Sequence, residues 1–301
     1  MKPDISIVIP VFNDYARLHL CLQALVTQTG EHAIEIIVID NGSTKIDQSI
    51  VKQYQALPQV QFISETKAGS YAARNKGLDD CTADIIAFTD SDCIPSENWI
   101  STALTIFENQ KVDLVAGNIH VFTTSNATQT LLETYETVLA FPQKENARLG
   151  RSVTANLIMR KTVLDKIGKF KDDSFSGADH EYTGRAVAQG FNLIYGQDCI
   201  VAHPTRSKMS QMRQKLRRTV GGFYRLRKED SSMAAKLSWK SILFDLPPPL
   251  NAWREADERK SELNLTTKQM AKVMLVAYHN KLYRGWLKVR LKLGLTGFIE
   301  R

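Results

Sequence analysis

Three short apolar runs, each ending in a polar cluster, constrain the fold of this 301-residue chain more than any other feature. Ile-Ser-Ile-Val-Ile at 5 to 9 runs into Pro10-Val11-Phe12-Asn13-Asp14. The run at 34 to 39 enters Asp40-Asn41-Gly42-Ser43, and the run at 85 to 88 leads through Thr89 into Asp90-Ser91-Asp92. Short β-branched runs closed by turn chemistry read as strands buried on both faces, the habit of parallel sheets. Between the first two, Leu18, Cys21, Leu22, Leu25 and Val26 recur at helical spacing, which makes a βαβ beginning. The expectation is an α/β fold with an open, mostly parallel, Rossmann-like sheet. Ligands gather at the carboxyl ends of such strands, so the three clusters would converge on one edge.

The alternation continues with helices expected near 46 to 57, 70 to 80 and 97 to 109, and strands at 60 to 63, 114 to 117 and 119 to 122. Residues 126 to 141 read as helix, and the polar stretch 142 to 152 as a mobile loop. A strand at 154 to 159, helices at 161 to 167 and 179 to 189 and a strand at 191 to 195 follow. Charge then divides the chain. The net value is +7, yet residues 203 to 301 hold 22 Lys and Arg against 8 acids, leaving the first 202 residues acidic. The expected organisation is an α/β domain over 1–205, with a half of nucleotide-binding type to residue 120 and a second half over 121–205, and a basic helical extension over 206–301.

The polar clusters suggest specific chemistry. Asp90 and Asp92, two apart on an extended loop, point the same way, and Mg²⁺ or Mn²⁺ commonly takes one or two carboxylates and completes its shell with water and phosphate oxygens. The same acids could instead cap the helix that follows. Asp40 beside Phe12 suits a base imide, while Asp-Asn-Gly-Ser is also good turn chemistry. No GxGxxG or GxxxxGK phosphate loop occurs, so dinucleotide dehydrogenases and P-loop enzymes are excluded.

Taken in order, Ile-Val-Ile-Pro-Val-Phe-Asn-Asp, Val-Ile-Asp-Asn-Gly-Ser, Ala-Gly-Ser-Tyr-Ala-Ala-Arg-Asn-Lys-Gly and Phe-Thr-Asp-Ser-Asp resemble the family 2 glycosyltransferases with the A-type fold. The resemblance covers about residues 5 to 203. It implies a donor site of Pro10, Phe12, Asp40, Arg74 and Asp90, with Phe12 and Asp40 on the base, Arg74 on the nucleotide and Asp90 on the ribose or sugar. Asp92 would hold Mn²⁺ or Mg²⁺, with His203 as a further metal ligand. In the acceptor segment, Gly177-Ala178-Asp179-His180-Glu181 puts Asp179 at the catalytic base, although the usual Glu-Asp pair is Ala178-Asp179 here. The implied reaction is inverting transfer of a sugar from a nucleotide-diphosphate donor, UDP-linked by expectation, to a hydroxyl of a carbohydrate or lipid-linked acceptor in cell-surface polysaccharide or glycolipid assembly. The alternatives are a nucleotidyltransferase, or a nucleotide-sugar-binding module with weak turnover, which the missing acid at Ala178 motivates.

In the basic end, Gly221-Gly222 suggests a bend and Pro247-Pro248-Pro249 a break. Residues 278 to 295 set Leu282, Tyr283, Trp286, Leu287 and Leu291 among five cations, an amphipathic pattern suited to an anionic membrane surface or to packing on its own domain. No nucleic-acid recognition signature is present, and no nucleic-acid partner is expected. With no signal peptide and no apolar run near the ~18 residues of a bilayer span, the expected location is the cytoplasm, peripherally on the inner face of the cell membrane.

Overall fold

The computed structural model describes residues 2–109, 111–123, 129–228 and 231–298. In chain order the elements are β1 (Ile5–Val11), α1 (Tyr15–Val26), β2 (Ile34–Asp40), α2 (Gln48–Gln55), β3 (Val60–Ser64), α3 (Ser70–Asp80), β4 (Ile85–Thr89), β5 (Ile94–Pro95), α4 (Trp99–Asn109) and β6 (Leu114–Phe122). Then come α5 (Leu131–Leu139), α6 (Gln143–Arg148), β7 (Asn156–Arg160), α7 (Lys161–Ile167), α8 (Ala178–Ala188) and β8 (Leu193–Pro204). The last stretch holds α9 (Met209–Leu226), α10 (Ser231–Ala235), α11 (Trp239–Leu243), α12 (Leu250–Glu258) and α13 (Thr267–Lys292). Part of the helix expected over 126 to 141 lies outside the described residues.

Two compact units result: residues 1–120, 143–173 and 178–203, and residues 121–142, 174–177 and 204–301. The first carries an eight-stranded sheet in the order β3-β2-β1-β4-β7-β6-β8-β5. β3, β2, β1 and β4 are parallel, with Ile5 opposite both Ile34 and Ile85, whereas β4–β7, β7–β6 and β8–β5 are antiparallel. The uninterrupted apolar runs follow from this arrangement, because β1 and β4 are buried along their whole length. Val8, Ile37, Ile39, Phe88, Leu157 and Met159 form one core with Tyr71 of α3 and Tyr182 of α8. Helix α3 lies so close to the sheet that a Cβ on Gly77 would stand 2.7 Å from Ile39 and 2.8 Å from Val8.

The expected loop at 142 to 152 instead contains α6. Its Gln143 is buried, donating to Ser152 Oγ (3.1 Å) and accepting from the Val153 amide (3.2 Å), so a polar side chain ties the segment inward.

The second unit is helical. A capping box, Thr130 with Glu133, starts α5. Val138 of α5 packs with Ala256, Met270 and Val273, and Leu132 with Met212 and Val276. Buried Glu136 accepts from the Arg206 amide (2.6 Å) and guanidinium (2.7 Å). Residues 121–142, read in the sequence with the second half of the α/β domain, thus cluster with the C-terminal helices.

Gly221-Gly222 makes no bend; both lie inside α9, where a Cβ on Gly222 would collide with the Ser176 carbonyl oxygen. The glycine serves close packing rather than a turn. The break at Pro247–Pro249 falls between α11 and α12 as expected. The amphipathic stretch 278 to 295 lies largely on the long α13 and spends much of its stripe inward, with Leu287 fully buried and Tyr283 and Leu291 packed around it. Among the described residues, no helix is long and apolar enough to cross a membrane.

Candidate active site

Parallel pairing of β1, β2 and β4 brings the three polar clusters to one edge of the sheet, as the sequence suggests. Two side chains lace the first two loops together. Asn13, in the left-handed region at φ 53°, accepts through Oδ1 from the amides of Thr44 (2.8 Å) and Lys45 (3.1 Å), and its own amide donates to Ser43 Oγ (2.8 Å). Asn41 donates to the carbonyls of Glu65 (3.0 Å) and Lys67 (2.8 Å) and accepts from the Gly69 amide (2.7 Å), which fixes the entry to α3.

Phe12 is exposed beyond the end of β1, and Pro10 is buried one residue before that end. Asp40 ends β2, with one carboxylate oxygen accepting from Tyr15 (2.8 Å) and the other from the Ser43 amide (2.9 Å). Those bonds orient the carboxylate while leaving each oxygen a second lone pair. The turn reading and the binding reading of Asp40 are therefore compatible. Burial, reinforced by Asp40, raises the Tyr15 pKa and keeps the phenol a donor.

Asp90 and Asp92 follow β4, and His203 lies near the end of β8. Ligand atoms of Asp90, Asp92, Cys93 and His203 all lie within 4.8 Å of one another. His203 Nε2 is 3.7 Å from Asp92 Oδ1, beyond hydrogen-bond length. Burial, with Asp90 and Asp92 nearby, pushes the Cys93 thiol far above its usual pKa. The two carboxylates and the imidazole of this cluster make a donor set suited to a hard divalent cation such as Mn²⁺. The capping reading of these acids does not hold, since α4 begins only at Trp99.

Arg74 is 3% exposed and ion-paired to Asp90, and its Nε has no hydrogen-bond partner among the described residues. One turn earlier on α3, the Tyr71 phenol is within electrostatic reach of Asp179. Burial, and then the Asp179 charge, raise its pKa well above the usual value, so it remains a proton donor. Residues at i and i+3 share a helix face, so α3 presents Arg74 to the acids of β4 and Tyr71 to the first turn of α8. Asp179 lies inside α8 rather than at its cap, with Oδ1 accepting from the His180 amide (2.9 Å). Glu181, the other carboxylate of that segment, is buried and held by Arg185 (3.0 Å) and Lys171 (3.5 Å), which gives it a structural task.

Sequence reasoning missed several positioning groups. Arg17 on α1 binds Asp14 (2.5 Å) and reaches Asp92 (3.3 Å), a link signalled only by the i, i+3 spacing of Asp14 and Arg17. Asn75 exchanges two hydrogen bonds with the Phe170 backbone (2.8 and 3.0 Å), and Phe170 stacks between Tyr71 and Tyr182. The Arg-Asn pair thus divides its work, with Arg74 turned to Asp90 and Asn75 to the loop before α8. Asn156, at the start of β7, is a buried cross-link among Trp99, Asn118 and Cys199.

Comparisons with known proteins identify the family and the fold. The family model described as glycosyl transferase family 2 matches residues 6–168. Glycosyltransferase AglE of Haloferax volcanii is 30% identical over 283 residues, 92% of each chain. The pre-mycofactocin glycosyltransferase of Mycobacterium tuberculosis is 28% identical over 212 residues, 68% of this chain and 44% of its own length. Among solved structures, mannosyltransferase PcManGT from Pyrobaculum calidifontis, in complex with GDP-Man and Mn²⁺, aligns with a TM-score of 0.57 at 16% identity, covering 99% of this chain and 85% of the other. TarS 1–349 of S. aureus, in complex with UDP, aligns at 0.56 and 13% identity, covering 97% and 92%. The fold is thus the A-type glycosyltransferase fold, and the chain belongs to the family 2 glycosyltransferases.

Proposed function

We propose that this glycosyltransferase transfers a sugar from a nucleotide-diphosphate donor, with inversion, to an acceptor hydroxyl, and that it needs a divalent cation, Mn²⁺ or Mg²⁺. The observation that carries the reading is the gathering of Asp90, Asp92 and His203 within 4.8 Å, at the strand end where Phe12 and Asp40 also emerge. The resemblance at 16% identity to a mannosyltransferase solved with GDP-Man and Mn²⁺ fits it.

Phe12 supplies an exposed aromatic face for the base, over the turn that follows Pro10, and Asp40 an acceptor for a base N–H. Arg74 sits beside Asp90 as a buried cation for the nucleotide side, and its unpartnered Nε is a donor left for substrate. Asp92, Asp90 and His203 would hold the cation, with Arg17 steadying Asp92. A cation held there would offset the negative charge that gathers on the departing diphosphate. Asp179 takes the proton of the acceptor hydroxyl as it attacks the anomeric carbon, and Tyr71 orients that carboxylate. Attack opposite the leaving group inverts the anomeric centre. A UDP-linked donor, a carbohydrate or lipid-linked acceptor and a role in cell-surface polysaccharide or glycolipid assembly complete the proposal. The nucleotidyltransferase gives way to the family assignment, and the transfer assay below separates an active transferase from a nucleotide-sugar-binding module with weak turnover.

The test is a nucleotide-sugar panel read by thermal shift with Mn²⁺ or Mg²⁺, followed by transfer assays. Asp179→Asn is expected to keep the donor-induced shift and lose transfer by about 10²- to 10⁴-fold, the usual worth of a general base. Asp92→Ala is expected to lose the metal-dependent part of the shift. If neither cation nor any donor moves the wild-type melting temperature, the reading fails; if Asp179→Asn transfers normally, the base assignment fails alone.

A further inference from the structure

The helical unit holds apolar surface that its own packing does not use. From α11 through the proline break to α12, Trp239 (59%), Leu243, Phe244 (66%), Leu246, Leu250 (75%) and Trp253 are exposed to solvent. A run of large apolar side chains on a protein surface marks a site of interaction. Its charge indicates the partner. Over residues 236–254 the cations are Lys236, Lys240 and Arg254, and the one acid, Asp245, is buried and bound to Lys288 (2.6 Å) and to Arg284.

Behind this segment lies a cavity of about 560 Å³ whose wall includes Phe244, Asp245, Pro249 and Ala252. Lys236, Lys281, Arg284 and Lys288 line it against only Asp245 and Glu255, so the lining is net cationic. Asn280 also lines it, 5% exposed; among the described residues its Nδ2 makes no hydrogen bond of normal geometry and has only a loose interaction with the Tyr135 phenol. An incoming group with oxygen acceptors would give this buried donor a better partner. A phosphate ester meets both the charge and this donor. The apolar rim around a phosphate-seeking cavity is the pattern of a surface that enters the boundary between headgroups and acyl chains.

We propose that residues 239–253 form the face of this protein that inserts into an anionic lipid bilayer, and that the adjoining cavity takes the phosphate of a lipid headgroup. The surface acts independently of the transfer chemistry and serves to bring the protein to a membrane. The position differs from the 278–295 stretch, whose Leu287 is committed to the core.

The experiment is flotation of the full chain, without donor or acceptor, on phosphatidylcholine vesicles with and without phosphatidylglycerol. Wild type is expected to float several-fold more with phosphatidylglycerol. The triple variant Trp239→Ser, Phe244→Ser, Leu250→Ser alters only exposed side chains and is expected to lose most of that flotation at an unchanged melting temperature. Asn280→Leu and the milder Lys281→Gln are expected to lose the preference for the anionic vesicles. Flotation of the triple variant equal to wild type, or equal recruitment by both vesicles, overturns the proposal. Should vesicles recruit nothing while inorganic phosphate raises the melting temperature of wild type but not of Lys281→Gln, the cavity is a soluble-anion site and the bilayer assignment is wrong. If Asn280→Leu does not fold, Lys281→Gln decides the headgroup part, and an unchanged vesicle preference there removes it.

Discussion

At the scale of single residues, Tyr71 separates binding from chemistry more cleanly than any acid in the site. Its phenol is buried, kept protonated by burial and by Asp179, and stacked on Phe170 at 5.8 Å. Removing the hydroxyl removes the phenol's interaction with the base and leaves the aromatic packing in place. Tyr71→Phe is therefore expected to lower kcat by about tenfold, the effect of ~1.4 kcal/mol on a barrier, with the donor KM unchanged and the melting temperature close to wild type. Steady-state kinetics with varied donor would check it, and a change confined to KM would contradict the role. Nothing local in Ala-Gly-Ser-Tyr-Ala-Ala-Arg marks this residue as a partner of an aspartate brought in by α8, which is why only the structure reveals it. Asp40, Asp90 and Asp92 could be singled out in the sequence because each belongs to a polar cluster at the end of an apolar run.

At the scale of elements, α3 is the part that makes separate motifs into one site. It carries Arg74 toward Asp90, Tyr71 toward Asp179 and Asn75 toward Phe170. Its distance from the sheet is set at Gly77, where a Cβ would press on Ile39 and Val8. Gly77→Ala has to push the helix outward or distort the strand side chains, and overpacking of this kind costs about 1–3 kcal/mol. The expected outcome is a lower melting temperature together with weaker donor binding, measured by calorimetry and donor titration. A variant that loses stability but binds donor normally would show that the helix tilts without moving Arg74. The parallel strands were legible because full burial writes uninterrupted β-branched runs. The errors have the opposite cause. At Gly221-Gly222 and at 142 to 152, local propensity and polarity argued for a bend and a loop, whereas a close approach to Ser176 and the buried amide of Gln143 decided the outcome.

At the scale of the whole molecule, the charge boundary near residue 203 is expected not to be one at which the chain can be cut. Helix α5 precedes it in sequence and belongs to the same compact unit as the basic helices. Leu132 and Val138 are buried by Met212, Met270, Val273 and Val276, and the buried Glu136 is paired with Arg206. A chain ending at residue 205 would uncover these apolar side chains, each worth about 1.5–3 kcal/mol when fully buried, and leave Glu136 without its guanidinium. Such a truncation is expected to bind the dye ANS, to elute as aggregates in size-exclusion chromatography and to melt without a cooperative transition for the helical part. The same truncation carrying Leu132→Ser and Val138→Ser should recover a monomeric peak, because the uncovered face is then polar. A monomeric, ANS-silent 1–205 fragment would mean that α5 finds its cover within the sheet unit. The acidic two thirds would then be a domain that stands by itself, as composition alone suggests.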